Sequence, residues 1–317
     1  MRRASLGVFG VAIATAAIVV LVTAVAPHAP TLDTVGTSAP WRSHFRLATS
    51  ATDPIVPNAD NYASRTTPSS PLLLFLAATR HRPSDYREFL RVARAGGYHV
   101  LALDYWNRGL SVQKTCGTDA RCYGAVQRNR LDGSRPGMFS AVNPANSIVT
   151  RLTSALARLQ TKDPGGEWSR FVDASGIRWN RIVVAGHSQG GGEAAYIAHI
   201  HRVRGALMFS SPVDSDHDIH AAWMAHPGAT PASRLYGLVD TGDMFYRRVL
   251  ASWQAMGMNA LPSHEIVTHR RLGGPDASHL RDITDESPVA PDGTPVFAAT
   301  WARMLAQLYS PPSVTHP

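Results

Sequence analysis

Gly186-His187-Ser188-Gln189-Gly190 reads G-x-S-x-G, a spacing that can hold one hydroxyl clear of the surrounding chain. The apolar run Arg181 to Ala185 leads directly into it, and Glu193 to His201 has the composition of a helix that follows two further glycines. A strand, a sharp turn and a helix in that order form the setting in which a serine acts as a nucleophile. On so tight a bend the serine takes strained backbone angles, and the residues two positions to either side crowd together. Glycine at 186 and 190 removes the Cβ atoms that would collide there. Ser188 then stands at the start of a helix, and the Gln189 N–H faces the oxyanion that forms on the attacked carbonyl. A phosphate-binding loop would instead need Gly-Lys-Ser/Thr or G-x-G-x-x-G, and neither occurs.

The elements that must position this serine alternate along the chain. Leu72 to Ala77, Tyr98 to Tyr105, Arg181 to Ala185, Ala206 to Ser210, Leu235 to Val239 and Glu265 to Thr268 read as strands. Helical spacing follows Pro83, recurs around Ala145 to Gln160 (Ile148, Leu152, Leu156, Leu159), and returns at about Met244 to Met256 and Val296 to Leu308. Such alternation implies a mostly parallel sheet with helices on both faces, its site at the carboxyl ends of the strands. Between these elements, the insertion from Asn107 to Asn146 and the segment Val213 to Ser233, with Trp223 and Met224, are expected to roof the pocket.

With GHSQGGGEAAYIA (Gly186 to Ala198), YHVLALDY and CGTDARCYGAV, residues 71 to about 310 resemble an α/β hydrolase of the exported esterase and lipase-like kind. The resemblance implies the α/β-hydrolase fold, a triad in the order serine, acid, histidine, and an oxyanion hole of two backbone amides. Two carboxylates follow the strand Leu235 to Val239. Asp243, a few residues past the strand end, is favoured as the acid over Asp240, with a helix N-cap and an Asp-x-Gly turn as their structural readings. Of 14 histidines, His279 lies after the last strand and before the last helix, in an expected loop from which it could reach Ser188. The second oxyanion donor falls on Thr79, within Ala77-Ala78-Thr79-Arg80-His81-Arg82, where the family's glycine-rich loop is absent.

The ends and the composition set the context. Arg2 and Arg3 precede an uncharged apolar run from Ala4 to Ala26, so residues 1–26 read as a signal peptide or membrane anchor. Residues 27–70, rich in Pro, Ser, Thr and Asn, read as an irregular arm or linker; 71–310 form the hydrolase domain and 311–317 a tail. The protein is therefore expected in the cell envelope or outside the cell, where Cys116 and Cys122 would form a structural disulfide. The net charge of +8 comes almost wholly from dispersed arginines, with Lys114 and Lys162 the only lysines, and describes a solvated surface rather than a nucleic-acid site. The expected partner is a small-molecule or lipid ester, with membrane association through the N-terminus and no nucleic acid. The expected chemistry is hydrolysis of a carboxylic ester through Ser188, Asp243 and His279, with an acyl-enzyme and no metal or organic cofactor. The same triad could pass the acyl group to an alcohol. A catalytically silent binding protein of the same fold, or a basic envelope anchor, would also accommodate parts of the sequence.

Overall fold

The computed structural model describes residues 42–47, 59–136, 138–140, 142–216 and 219–310. The expected signal or anchor (1–26), residues 27–41 and 48–58 of the arm, and the tail (311–317) lie outside the described residues. Among the described residues, no helix is long and apolar enough to cross a membrane.

Eight strands form the main sheet: β1 (Arg42–Phe45), β2 (Asn61–Ser64), β3 (Leu72–Leu76), β4 (His99–Leu103), β5 (Ile182–His187), β6 (Gly205–Phe209), β7 (Leu235–Asp240) and β8 (Glu265–Thr268). Their spatial order is β1-β2-β4-β3-β5-β6-β7-β8. β2 runs antiparallel to both β1 and β4, and every pairing from β4 across to β8 is parallel. The helices are α1 (Arg87–Ala95), α2 (Val112–Cys116), α3 (Ala120–Asp132), α4 (Ile148–Lys162), α5 (Gln189–Ile200), α6 (Tyr246–Ala255), α7 (Pro275–Leu280) and α8 (Ala298–Tyr309).

The central strands are apolar throughout because both faces are covered. Successive side chains point to opposite faces. Leu72, Leu74 and Leu76 of β3 therefore enter one core with Ile182 and Val184 of β5, beneath α4, α5 and α6. Leu73 and Phe75 enter the other with Val183 and Ala185, beneath α1 and α8. Each such fully buried leucine, isoleucine, valine or phenylalanine contributes roughly 1.5–3 kcal/mol. Among these helices, α4 begins at an N-cap, the Ser147 hydroxyl accepting from the Thr150 N–H, and buries Ile148, Leu152, Leu156 and Leu159 as the spacing predicts.

One expectation is corrected. The stretch read as an irregular arm contains β1 and β2. Its signal is hidden because buried positions of β2 are polar: Asn61 donates to the Phe45 carbonyl and accepts from the Asp104 N–H. The Asn107–Asn146 insertion contains α2 and α3. Their N-caps are side chains, Ser111 for α2 and Asp119 for α3, and Cys116 and Cys122 are disulfide-bonded between them. Cys116 packs with Val112, Tyr123, Val126 and Met224 in a small separate core. Replacing both cysteines with serine frees a short loop, and by loop-closure entropy is expected to cost about 2 kcal/mol. A thermal melt checks this, with a fall of roughly 5 °C.

Candidate active site

The carboxyl end of β5 runs into Ser188, which sits at φ 51° and ψ −114° as the residue before α5. Two glycines make that bend possible. A Cβ at 186 would lie 2.2 Å from the Gly190 carbonyl, and one at 190 would lie 2.1 Å from the Leu76 carbonyl oxygen. The strain is held by hydrogen bonds on both sides, Ser188 N–H to the Phe209 carbonyl and Gly192 N–H to the Ser188 carbonyl. As the first residue of α5, Gln189 has an N–H that no preceding turn can engage.

His279 Nε2 lies 2.9 Å from Ser188 Oγ, and its Nδ1 lies 2.9 Å from Asp243 Oδ2. The carboxylate can only accept, so Nδ1 carries the proton and Nε2 offers its lone pair to the serine hydroxyl. His279 stands in α7, not in a loop as expected. Gly273-Gly274-Pro275 starts this short helix, with Pro275 at its first position. The Phe245 ring packs 5.2 Å from the imidazole, edge to face.

The two aspartates at the carboxyl end of β7 have separate work. Asp243 follows the strand by a turn, its N–H on the Asp240 carbonyl and its Oδ1 accepting from the Phe245 N–H, with Oδ2 left for His279. Asp240 ends β7, opposite Thr268 of β8. It accepts from the Thr268 hydroxyl at 2.5 Å, from Gly242 N–H at 2.9 Å and from Arg270 N–H at 2.9 Å. Burial pulls its pKa up, but these donors outweigh it and hold the carboxyl below its ordinary range. Asp240 therefore binds the β8–α7 connection, and Asp243 alone of the pair meets the imidazole.

Thr79 follows β3 on the opposite side of the serine. Its hydroxyl donates to Gln189 Oε1 at 2.8 Å, which ties this loop to the elbow. Around it the amides are used: Ala78 N–H on the Tyr86 hydroxyl, Arg80 N–H on the Asn107 carbonyl and His81 N–H on the Ala78 carbonyl. The loop has no glycine-rich turn. It is fixed instead from β4, by Tyr105 donating to the Ala77 carbonyl and Asn107 Nδ2 donating to the Ala78 and His81 carbonyls. These two residues were not singled out from the sequence, although both stand just past the strand YHVLAL.

A cleft of about 240 Å³ opens over Ser188 and His279. Ala78, Val112, Val213, Phe245 and Leu280 give it an apolar lining, with Gln113 and Asp214 as polar members. The roof expected from the insertion and from the segment after β6 is present through Ser111–Gln113 and through Val213 and Asp214. Trp223 and Met224 take no part in it. Met224 is buried in the α2–α3 core and Trp223 packs on Tyr196.

Below the triad lies a further buried carboxyl, Asp282, which contacts the Ser210 hydroxyl at 3.1 Å and leaves Oδ1 without a partner among the described residues. Burial, and the nearby Asp243 carboxylate, push its pKa well above the ordinary range. The native state thus holds a proton that the unfolded chain has released, and stability falls as pH rises past the ordinary carboxylate pKa. Asp282→Asn copies the protonated form. Urea melts from about pH 5 to about pH 8 are expected to show a flatter stability profile for the variant, and higher stability than wild type at the upper end.

No family model matches the chain, and no curated protein matches it in sequence. Among solved structures, it is similar to an S-formylglutathione hydrolase from Agrobacterium tumefaciens (15% identity, 86% of this chain and 96% of that one, TM-score 0.46). It is also similar to the Pyrococcus furiosus esterase PF2001 (14% identity, 87% and 96% covered, TM-score 0.48) and to the esterase LipW from Mycobacterium marinum (16%, 86% and 83%, TM-score 0.44). The sheet order, the antiparallel β2 and the serine turn between β5 and α5 give the chain an α/β-hydrolase fold.

Proposed function

We propose that this chain is a serine hydrolase that cleaves carboxylic esters through Ser188, His279 and Asp243. One observation carries the reading. Three side chains distant in sequence form a continuous line, Ser188 Oγ to His279 Nε2 and His279 Nδ1 to Asp243 Oδ2, both at 2.9 Å. A serine, a base that accepts its proton and a carboxylate that fixes the base's tautomer make up the parts of an acyl-transfer site.

In this mechanism Ser188 Oγ attacks the ester carbonyl carbon while His279 Nε2 takes its proton. The Asp243 carboxylate offsets the imidazolium charge. The carbonyl oxygen becomes an oxyanion, held by the Gln189 and Thr79 backbone N–H groups. Collapse breaks the bond to the alcohol oxygen, which leaves with the proton from His279. Water then loses a proton to His279 and attacks the acyl-serine carbonyl, and the acid departs as Ser188 regains its proton. Apart from the ester and water, these steps call only on this chain's own groups.

The cleft, at about 240 Å³, is at the small end for ligand sites. Its size and apolar lining favour an ester with a short acyl chain. The Cys116–Cys122 bond supports a home outside the reducing cytosol. The test is a series of p-nitrophenyl esters from acetate to palmitate. kcat/KM should peak at the short chains, with free carboxylic acid as the product. No turnover of any member would overturn the proposal.

A further inference from the structure

His187, the residue immediately before the serine, is fully buried and takes part in none of the proton transfers above. Its Nε2 lies 2.8 Å from the main-chain carbonyl of His279. A carbonyl only accepts, so Nε2 carries a hydrogen and donates. Nδ1 is then a bare lone pair, and it lies 2.9 Å from the Tyr86 hydroxyl, which must donate to it. The Tyr86 oxygen in turn accepts from the Ala78 N–H at 3.0 Å. Each donor has a single acceptor, so the direction of the whole chain is fixed.

What this chain joins matters more than its length. Ala78 precedes Thr79, the candidate second oxyanion donor. His187 is bonded to Ser188. The carbonyl at the far end belongs to the base itself, in α7. One run of hydrogen bonds therefore connects the β3 loop, the elbow and the base helix, three segments far apart in sequence. Tyr86 is locked in place by Phe75, whose ring centre is 4.7 Å away, and the His187 and His279 rings lie 5.1 Å apart. Burial lowers the His187 pKa well below its ordinary value and raises that of Tyr86, so both stay uncharged and the direction of donation holds over the working pH range.

We propose that Tyr86 and His187 are positioning residues, whose hydrogen-bonded chain from the Ala78 N–H to the His279 carbonyl sets the distance between the base, the serine and the oxyanion loop. The proposal rests on the ester-hydrolase reading above. A buried chain of this kind is stiff, and an error of about 1 Å in such a site costs on the order of 100-fold in rate. The oxyanion loop lacks its glycine-rich turn, so a side chain must supply part of the placement that backbone conformation would otherwise give.

The test uses full-length wild type with Tyr86→Phe, His187→Leu and His187→Gln, each titrated with a fluorophosphonate so that kcat is expressed per competent site. Tyr86→Phe keeps the ring and removes only the hydroxyl. It should lower kcat roughly 10- to 100-fold with KM within about twofold of wild type. His187→Leu should do the same. In His187→Gln the amide N–H can still donate to the His279 carbonyl, and this variant should recover most of the loss. The proposal is overturned if Tyr86→Phe turns over per titrated site within about twofold of wild type, or if the whole loss lies in KM or in the titratable fraction. It is equally overturned if the glutamine variant is no better than leucine. Should His187→Leu fail to fold, Tyr86→Phe and His187→Gln decide the matter. Failure of wild type itself to react would strike the ester-hydrolase reading instead.

Discussion

Ser188→Ala is expected to lower ester hydrolysis by about 10⁴- to 10⁶-fold in kcat, with KM little changed and the thermal melt close to wild type. The reasoning starts from the bend. Ser188 is held at φ 51° by its own N–H on the Phe209 carbonyl and by the absence of Cβ atoms at 186 and 190. None of these constraints uses the hydroxyl, so alanine inherits the same turn. What disappears is the atom that lies 2.9 Å from His279 Nε2. The oxyanion donors and the cleft survive, and they leave a residual rate above that in water. Steady-state kinetics on a short-chain p-nitrophenyl ester, beside a melt, measure both halves of this expectation.

The second large effect separates two carboxylates three residues apart. Asp243→Asn should lower kcat about 10⁴-fold while the protein remains folded. The asparagine amide can turn its N–H groups toward His279, which then places its own hydrogen on Nε2 and has no lone pair for Ser188. Asp240→Asn should behave in the opposite way. Asp240 accepts from Thr268, Gly242, Arg270 and Arg271, and an amide offers only one oxygen to those donors. A loss of about 1–3 kcal/mol in stability is expected, with kcat per folded molecule near wild type. Denaturant melts combined with kinetics distinguish the two outcomes.

The sequence made the serine legible because the elbow's requirement is steric and local. Glycine at both 186 and 190 has a meaning that can be read without coordinates. The strands β3 to β7 were legible for a related reason, since burial on both faces leaves an unbroken apolar run. The acid was legible only as a preference for Asp243 over Asp240, drawn from its distance past the strand. Asp240 ends β7 and Asp243 follows it, and only the register of β7 against β8 reveals that Asp240 is already occupied by backbone amides. The β1–β2 pair is hidden because Asn61 and Ser64 of β2 are buried polar residues that break the apolar pattern, and the partners of Asn61 lie on Phe45 and Asp104. The helix around His279 starts at Pro275 after two glycines and is too short for helical spacing to set it apart from a loop. Tyr105 and Asn107 just past β4, and Tyr86 just before α1, act on a loop near the serine, and no local pattern announces such convergence.

The central claim, that His279 activates the Ser188 hydroxyl, is tested most directly by covalent labelling. Full-length protein is treated with a fluorophosphonate, in which the serine oxygen displaces fluoride from phosphorus, and the digest is read by mass spectrometry. The expected result is one phosphonyl adduct, on the peptide at Ser188, formed at least about 100-fold faster in wild type than in His279→Ala. No adduct at Ser188, or equal labelling of the two proteins, would contradict the account.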